Sequence, residues 1–490
     1  MKHSPYPTYK PSGIEWLGDV PEHWTPQRVR FCYSIQLGKM LQPEPAGPTD
    51  EETPYLKSQH VQWEMVCVEN LPTMWTNKKE RHQYAVKDGD LLVCEGGDVG
   101  RAAIVLGAPE GTIIQNALHR VRPLGANHTP FLLYVLAHAT AQGWFGIICN
   151  RSTIAHFTVD KFRALGVALP PPAEQTAIAA YLDRETGRID VLVEKKRTLI
   201  ERLKEKRSAL ISACVTRGLP AGAGKKYPRI LQIYAEEVQK SKHLRPSAQS
   251  ADQLPENPPL KPSGIEWLGN VPKHWEVKRL KAFASYKVSN VDKDSKEGEI
   301  PVRLCNYTDV YYNDLISPDQ DLMEATATAD EIKRFHLKPD DIVITKDSED
   351  WRDIAIPARV ARTSYDLVCG YHLAIVSSER HVADGSYLLR SFQSKAINCQ
   401  FQVAASGVTR YGLPKPAIGE AVFPLPPLPE QIAIAAYLDE ETAIIDALVA
   451  KVETAIERLL EYRSALISAA VTGKIDVRKD ASLPVEGPDR

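Results

Sequence analysis

The 490-residue sequence lacks several patterns that would restrict its location or its metal chemistry at once. Its eight cysteines are scattered without a CxxC pair, so their spacing encodes neither a disulfide framework nor a zinc site. The chain has no run of about 18 or more apolar residues, which disfavours a membrane span. The N-terminus also lacks the apolar core of a signal peptide. These absences favour a protein of the reducing cytoplasm.

A basic surplus is absent as well. Lysine and arginine number 60 against 62 aspartates and glutamates, which gives a net charge of -2 and a pI near 6.7. Proteins that bind DNA alone usually carry a positive excess that displaces counterions from phosphates. Composition therefore slightly disfavours independent DNA binding, unless local patches or partner proteins supply the charge. With 43% hydrophobic residues, the chain is long enough for two to four globular domains.

Catalytic motifs occur only in incomplete form. Asn257-Pro-Pro-Leu260 approaches the amino-methyltransferase signature, but Leu260 replaces the aromatic ring that would stack on a flipped base. A phosphate-loop pattern fails at Leu219 and Lys226, and Ile344 occupies the place of a second carboxylate in a nuclease-like string. The histidines show no HExxH spacing. We therefore predict that this chain is not an enzyme and binds no cofactor or metal.

What the sequence does contain is an internal duplication. Lys10–Trp24 and Lys261–Trp275 differ at two of 15 positions, and Glu174–Thr216 and Glu430–Thr472 differ at 12 of 43. The interiors between these frames, roughly 25–170 and 276–426, look unrelated apart from short echoes. A duplicated enzyme is expected to keep its polar active-site residues in both copies, whereas here the frame is kept and the interior differs.

One echo aligns Asn116–His119 with Gly370–Leu373, and the apolar flanks favour buried, structural roles for His119 and His372. Aromatic residues of the repeated frame are expected to pack each domain against a helix. These are Trp16, Trp24, Trp267 and Trp275.

The second repeated segment follows a proline-rich lead and places apolar residues at alternating steps of three and four, a pattern typical of a coiled-coil seam. A long amphipathic helix lying on its own domain is the alternative, and Gly187 is a possible break. About 40 helical residues would span ~60 Å. The residues predicted to pack between the two helices are Leu182, Ile189, Leu192, Leu199, Leu203, Leu210, Leu438, Ile445, Leu448, Val452, Leu459 and Leu466.

The predicted fold class is α+β, with a pseudo-two-fold internal repeat. Two mixed α/β domains are separated by a pair of long antiparallel coiled-coil helices. The predicted boundaries are 1–172 for the first domain, 173–217 for the first helix, 218–260 for a linker with a short helix around 230–240, 261–428 for the second domain, 429–473 for the second helix and 474–490 for a flexible tail.

The arrangement resembles the specificity subunits of type I restriction-modification enzymes. The residues that carry the resemblance are SGIEWLGDVPEHW and its copy, the PPPAEQTAIAAYLD and PPLPEQIAIAAYLD strings, and the RSALISACVTRG and RSALISAAVTGK strings. The resemblance implies a non-catalytic subunit whose two domains each read half of a bipartite double-stranded DNA target. It implies helices that set the gap and dock two methyltransferase subunits, which use S-adenosylmethionine. It further implies restriction/translocase subunits that use ATP and Mg²⁺.

Base recognition in the major groove favours Arg, Lys, Asn and Gln side chains. The predicted DNA-binding residues are Lys57, Gln59, Lys78, Lys79, Arg81, Arg120, Arg122, Asn150 and Arg151 in the first interior, and Arg303, Asn306, Tyr307, Lys346, Arg352, Arg410 and Tyr411 in the second. Residues on exposed helix faces that are predicted to dock the partners are Arg184, Arg202, Arg207, Glu440, Arg458 and Arg463. The alternative for both sets is ordinary solvated surface.

Two other functions remain open at this stage. The chain could serve a methylation-only or type II-like enzyme, or it could be a duplicated coiled-coil scaffold that binds proteins and not DNA.

Overall fold

A computed structural model describes residues 4–149, 156–223 and 258–479 of the chain. The chain divides into two compact units, each containing parts of both repeats: unit 1 comprises Met1–Arg197 with Glu453–Arg490, and unit 2 comprises Thr198–Val452. The short helix predicted around 230–240 lies outside the described residues, as do most of the 218–260 linker and residues 480–490.

Unit 1 is built on an antiparallel four-stranded sheet in the order β10 (Ala102–Ile104), β9 (Leu91–Cys94), β12 (Leu118–Pro123) and β4 (Tyr33–Leu37). Beside it lies a three-stranded sheet in the order β11 (Ile113–Ile114), β5 (Glu51–Leu56) and β8 (Thr73–Thr76). All four residues of β9 are buried, as expected for a strand covered on both faces. The strands are β1 (Tyr9–Pro11), β2 (Asp19–Pro21), β3 (Thr25–Arg28), β4 (Tyr33–Leu37), β5 (Glu51–Leu56), β6 (Val61–Gln62), β7 (Met65–Val66), β8 (Thr73–Thr76), β9 (Leu91–Cys94), β10 (Ala102–Ile104), β11 (Ile113–Ile114), β12 (Leu118–Pro123) and β13 (Gly166–Leu169).

The short helices of unit 1 are α1 (Lys78–Tyr84), α2 (Thr129–Ala141), α3 (Trp144–Ile148) and α4 (Val159–Ala164). Helix α1 begins with a capping box, because the Asn77 side chain accepts from the Glu80 amide and the Glu80 carboxylate accepts from the Asn77 amide. Nine residues of α2 are buried, so this helix forms much of the unit's core.

Unit 2 repeats this plan, although its interior sequence differs. A five-stranded sheet has the order β17-β25-β21-β23-β19, and a three-stranded sheet has the order β20-β18-β24. Its strands are β14 (Leu260–Pro262), β15 (Asn270–Pro272), β16 (Glu276–Arg279), β17 (Ala284–Val288), β18 (Ile300–Cys305), β19 (Leu315–Ile316), β20 (Met323–Ala327), β21 (Ile342–Thr345), β22 (Asp347–Ser348), β23 (Pro357–Val360), β24 (Leu367–Cys369), β25 (Leu373–Ser378), β26 (Tyr411–Gly412) and β27 (Val422–Leu425). Its short helices are α6 (Tyr307–Tyr312), α7 (Ala329–Phe335), α8 (Gly385–Gln393), α9 (Lys395–Ala404) and α10 (Lys415–Glu420).

The two long helices are α5 (Pro172–Arg217) and α11 (Leu428–Val471), within two residues of the predicted bounds. Each begins next to prolines and carries a glutamate in its first turn, where a negative charge complements the helix dipole. Helix α5 runs through Gly187 without a break, so the proposed interruption there does not occur. The predicted α+β class, with its internal repeat and its two long helices, is confirmed.

Within each unit the two helices run antiparallel. In unit 1, Trp24 contacts both Glu174 and Gly473, whereas further along α5 Asp190 pairs with Arg463 at 3.0 Å. In unit 2, Arg207 pairs with Asp446 at 3.0 Å, and Gly218 lies against Glu430. A residue further along α5 therefore contacts a residue nearer the start of α11, which is the pattern of antiparallel helices. The repeat makes the two ion pairs equivalent, because Asp190 aligns with Asp446 and Arg207 with Arg463.

The buried seam departs from the heptad register. Ile178, Ile189, Ile200 and Ile211 are buried at intervals of 11 residues along α5, and Ile434, Ile445, Ile456 and Ile467 follow the same interval along α11, with Ile456 only partly buried. A strict seven-residue repeat drifts by about 20° per heptad from a straight helix, whereas an 11-residue repeat drifts in the opposite direction.

This drift moves some of the predicted packing positions out of the seam. Leu192, Leu199 and Leu448 are exposed, which corrects their assignment, and Val193 and Ile200 are buried instead. Leu182, Ile189, Leu438, Ile445, Val452 and Leu466 are buried, and Leu203, Leu210 and Leu459 are partly buried.

Candidate nucleic-acid interface

The repeated frame fastens the sheets of each unit to a long helix through a buried glutamate. In unit 1, Glu174 accepts hydrogen bonds from the Tyr6 hydroxyl (2.7 Å) and the Trp24 indole (3.0 Å), and it pairs with His23 Nε2 (2.8 Å). In unit 2, Glu430 pairs with His274 Nε2 at 2.7 Å. Burial and the neighbouring Glu174 carboxylate raise the pKa of Tyr6 far above its ordinary value, so this hydroxyl stays a donor.

The predicted packing role of the frame tryptophans holds for three of the four. Trp24 and Trp275 are fully buried, and Trp16 packs against the core of unit 1. Trp267 is 36% exposed, so its assignment to packing is corrected.

Three arginines that the sequence assigned to DNA are committed to contacts inside their units. Arg120 is buried and donates to the carbonyls of Gln83 and Ala85. Arg122 forms two hydrogen bonds with Asp90, at 2.6 and 2.7 Å. In unit 2, Arg303 donates two hydrogen bonds to the Asp366 carboxylate, at 2.8 and 2.9 Å.

These contacts correct the assignment of the three arginines to DNA, because each guanidinium already bonds acceptors within its own unit. The pairing with Arg303 also lowers the pKa of Asp366 to about 2. All three residues therefore have structural roles.

The remaining predicted residues of unit 1 lie on two surface elements. Lys78 and Lys79 are exposed on α1, where Arg81 donates to the Thr76 carbonyl and to Glu51. Lys57 and Gln59 lie in the turn that follows β5, next to the buried His60. Asn150 and Arg151 lie outside the described residues.

Unit 2 gathers most of its predicted residues around one open cleft. Asn306, Tyr307 and Arg410 line a volume of about 400 Å³ together with Lys293, Thr308, Met323, Tyr371 and His372. Lys346 and Tyr411 border it, because β22 (Asp347–Ser348) pairs with β26 (Tyr411–Gly412). Arg352 is exposed and bonded to Asp350 on a separate turn. The cleft carries the positive charges of Lys293 and Arg410 beside polar and aromatic groups, a surface suited to a polyanion.

His372 belongs to this cleft, which corrects the structural role predicted from its apolar flanks. Leu118 and Leu373 occupy the same position, because each begins its strand and its amide donates to the carbonyl three residues earlier, that of Gln115 or Gly370. The predicted echo was therefore displaced by one residue. His119 is buried, and burial lowers its pKa to about 4, so its structural role is consistent with its position.

Sequence reasoning also missed Lys293 and Tyr371. The available signal was Gly370, where a side chain would collide with the Cys305 carbonyl. Because the two backbones approach so closely there, Tyr371 and His372, which follow the glycine, lie beside the end of β18.

Among the predicted docking residues, two arginines have internal roles. Arg207 bonds Asp446 and Asp314, and Arg463 bonds Asp190 and Glu64, so each ties a long helix to its own unit. This corrects their assignment to a docking surface. Arg202, Glu440 and Arg458 are exposed, and Arg184 is partly covered and bonded to Glu185.

The described ranges contain neither a candidate membrane-spanning helix nor a cluster of potential metal ligands. Neither long helix, nor any other helix in those ranges, is long and apolar enough to cross a membrane. Residues 4–149, 156–223 and 258–479 contain no group of three or more His, Cys, Asp or Glu side chains placed to hold a metal ion.

Comparison with known proteins agrees with the resemblance found in the sequence. Residues 52–202 match the family model for the type I restriction modification DNA specificity domain. No curated protein matches the chain significantly.

Solved structures resemble almost the whole chain. One is a chain from a structure concerned with complex assembly and conformational transition of the type I R-M system, with 15% identity and a TM-score of 0.57, covering 93% of this chain and 99% of its own. Another is the HsdS subunit from Thermoanaerobacter tengcongensis, with 16% identity and a TM-score of 0.43, covering 93% and 98%. The first of these similarities establishes the shared fold, and the predicted resemblance to type I specificity subunits is confirmed.

Proposed function

We propose that this chain, which carries a type I restriction modification DNA specificity domain at residues 52–202, is the non-catalytic subunit that selects the DNA sequence for a restriction-modification complex. Each unit reads one half of a bipartite target in double-stranded DNA. The observation that carries the proposal is one sheet plan built twice on a repeated frame, with different side chains at corresponding surface turns. Equal scaffolds with unequal contact residues are what recognition of two different half-sites requires.

The corresponding turns illustrate this difference. The last residues of β5 and β18 are equivalent, because the Leu56 carbonyl accepts from the Gln115 amide and the Cys305 carbonyl accepts from the Gly370 amide. The residues that follow are therefore also equivalent: Lys57, Ser58 and Gln59 in unit 1, and Asn306, Tyr307 and Thr308 in unit 2. Lysine favours guanine and asparagine favours adenine in the major groove. The two units therefore offer different donors and acceptors from the same position.

In this proposal the chemistry belongs to partner subunits. Two methyltransferase subunits use S-adenosylmethionine, and restriction/translocase subunits use ATP and Mg²⁺. The exposed faces of α5 and α11 dock the methyltransferases, and Arg202 and Arg458, which are equivalent in the repeat, supply the same contact in each half. The net charge of -2 supports a subunit that binds DNA firmly only with its partners.

We also propose that the long helices set the gap between the half-sites. Equivalent ion pairs, Asp190 with Arg463 and Arg207 with Asp446, fix the helix register in both units. Half-sites on one face of B-DNA lie about 34–36 Å apart for each helical turn, so the register of a rigid helix pair determines which gap is accepted.

Co-expression of the chain with its cognate methyltransferase, followed by methylome sequencing, tests the proposal. The expected result is methylation at a split sequence with a constant gap, absent when the chain is omitted. Methylation independent of the chain, or none at all, contradicts the proposal and favours a protein-binding scaffold. If the split motif is methylated but the native complex does not cleave unmodified DNA, the system only methylates.

A further inference from the structure

The cleft of unit 2 contains a chain of three polar side chains that ends at an exposed arginine. Asp347 Oδ2 lies 3.1 Å from His372 Nδ1, and His372 Nε2 lies 3.1 Å from Arg410 Nη2. Lys346 also pairs with Asp347, at 2.6 Å. These residues come from the β22 region, the turn before β25 and the turn before β26, which are far apart in the sequence.

The chemistry of the three groups fixes the direction of both hydrogen bonds. A guanidinium has only donors, so His372 Nε2 must accept from Arg410. The proton of the neutral ring then resides on Nδ1 and is donated to the Asp347 carboxylate. His372 therefore acts as a positioning residue between a fixed anion and Arg410, and its own acceptor is already used.

The backbone around Arg410 is held as firmly as its side chain. At Gly407, φ is +150° and a side chain would collide with the Arg410 carbonyl, so the tight turn requires glycine. After the turn, β26 pairs with β22, and the Leu413 amide donates to the Lys346 carbonyl at 2.8 Å. Arg410 itself stays exposed at the rim of the cleft.

A neutral ring nitrogen is an unusual partner for an arginine on a protein surface. It orients the guanidinium without cancelling its charge, and it uses only one of five N–H donors. An arginine fork can bind a phosphate or guanine O6 and N7, and only the guanine contact requires the planar donor pair to meet a base edge at a fixed angle in the groove. Lys293, which also lines the cleft, supplies a second positive charge for the neighbouring backbone.

We propose that Arg410 reads a guanine in the half-site recognised by unit 2, and that Asp347 and His372 hold its guanidinium in the required plane. This inference rests on the proposed function, and it adds the base, the contact residue and the residues that position it.

The test uses the complex of the full chain with its cognate methyltransferase, and it measures methylation at every single-base variant of the wild-type motif. The half-site of unit 2 is the one left unchanged when residues 25–170 are exchanged for those of another specificity subunit. It is expected to contain a G·C pair. Arg410→Ala and Arg410→Lys should relax selection at that pair by about 5- to 150-fold, which corresponds to one bidentate contact of ~1–3 kcal/mol.

His372→Ala should relax the same position less, and His372→Gln, whose amide both accepts and donates, should restore selection. Arg334→Ala is the matched control, because Arg334 is an exposed arginine on α7 of the same unit, outside the cleft and not among the predicted DNA-binding residues. It should leave every half-site letter unchanged.

Three results overturn the inference alone. The half-site of unit 2 lacks a G·C pair, the Arg410→Ala complex keeps wild-type selection, or the Arg410→Ala complex loses methylation equally at all sequences, as expected if Arg410 contacts only a phosphate. If the wild-type chain directs no methylation to a split motif, the proposed function fails first and the inference falls with it.

Discussion

Replacing Glu174 by alanine should loosen unit 1 and leave unit 2 intact. The carboxylate is 6% exposed and receives hydrogen bonds from Tyr6, His23 and Trp24. Alanine leaves the Trp24 indole and the Tyr6 hydroxyl buried without an acceptor. Each such group costs about 1–3 kcal/mol, so we expect a loss of about 3 kcal/mol of local stability.

Hydrogen exchange of the full-length chain measures this loss separately in each unit. A loss of about 3 kcal/mol corresponds to roughly 150-fold faster exchange of the protected amides of α2, because each 1.4 kcal/mol changes an equilibrium tenfold. The protected amides of α8, in unit 2, should exchange at the wild-type rate.

Glu430→Ala provides the matched control, since Glu430 occupies the equivalent place in unit 2 and pairs with His274. It should accelerate α8 and spare α2. Wild-type exchange of α2 in Glu174→Ala, or equal acceleration of both helices, would refute the idea that a buried glutamate fastens each unit separately.

Three further predictions concern the Arg303–Asp366 pair, the helix seam and the length of the long helices. Arg303→Gln should raise the pKa of Asp366 from about 2 towards its ordinary value, which an NMR titration of Asp366 measures. The wild type is stabilised by this ion pair above the ordinary pKa and loses that stabilisation as the pH falls through about 2, whereas the variant should lack it at every pH. A changed half-site letter in the variant would indicate that Arg303 reads DNA. Ile189→Ala should cost about 2–5 kcal/mol in local stability by hydrogen exchange, whereas exposed Leu192→Ala should stay within about 0.5 kcal/mol. A cost at Leu192 as large as that at Ile189 would restore the heptad register. Deleting seven residues from either long helix should change the gap or abolish methylation without changing the half-site letters, and an unchanged gap in the methylome would contradict the role of the helices as a spacer.

The repeated frame was predictable because its sequence appears twice. Identical residues at Trp24 and Trp275, and at Glu174 and Glu430, indicated one local structure in both halves before any contact was known. The antiparallel helices followed from their equal lengths. The exact seam did not follow, because seven- and 11-residue repeats share many positions over a short stretch and separate only where Leu192 and Leu199 turn towards solvent.

Candidate DNA-contacting residues were harder to predict, since residue type alone does not show which side chains are already bonded within the protein. Arg122 pairs with Asp90, 32 residues away in the sequence, and Arg303 pairs with Asp366, 63 residues away. Such pairs depend on strand order, which local patterns do not encode. Arg410 differs from these arginines in its partner, a histidine ring, and in its exposed position.

The most direct test of the central claim is a methylome comparison between the wild-type chain and a chimera in which residues 25–170 come from another specificity subunit, each co-expressed with the methyltransferase. We predict that one half-site changes completely while the other half-site and the gap stay the same. A change in both half-sites, or methylation of a contiguous motif, would contradict the account that two units on one repeated frame each read half of the target.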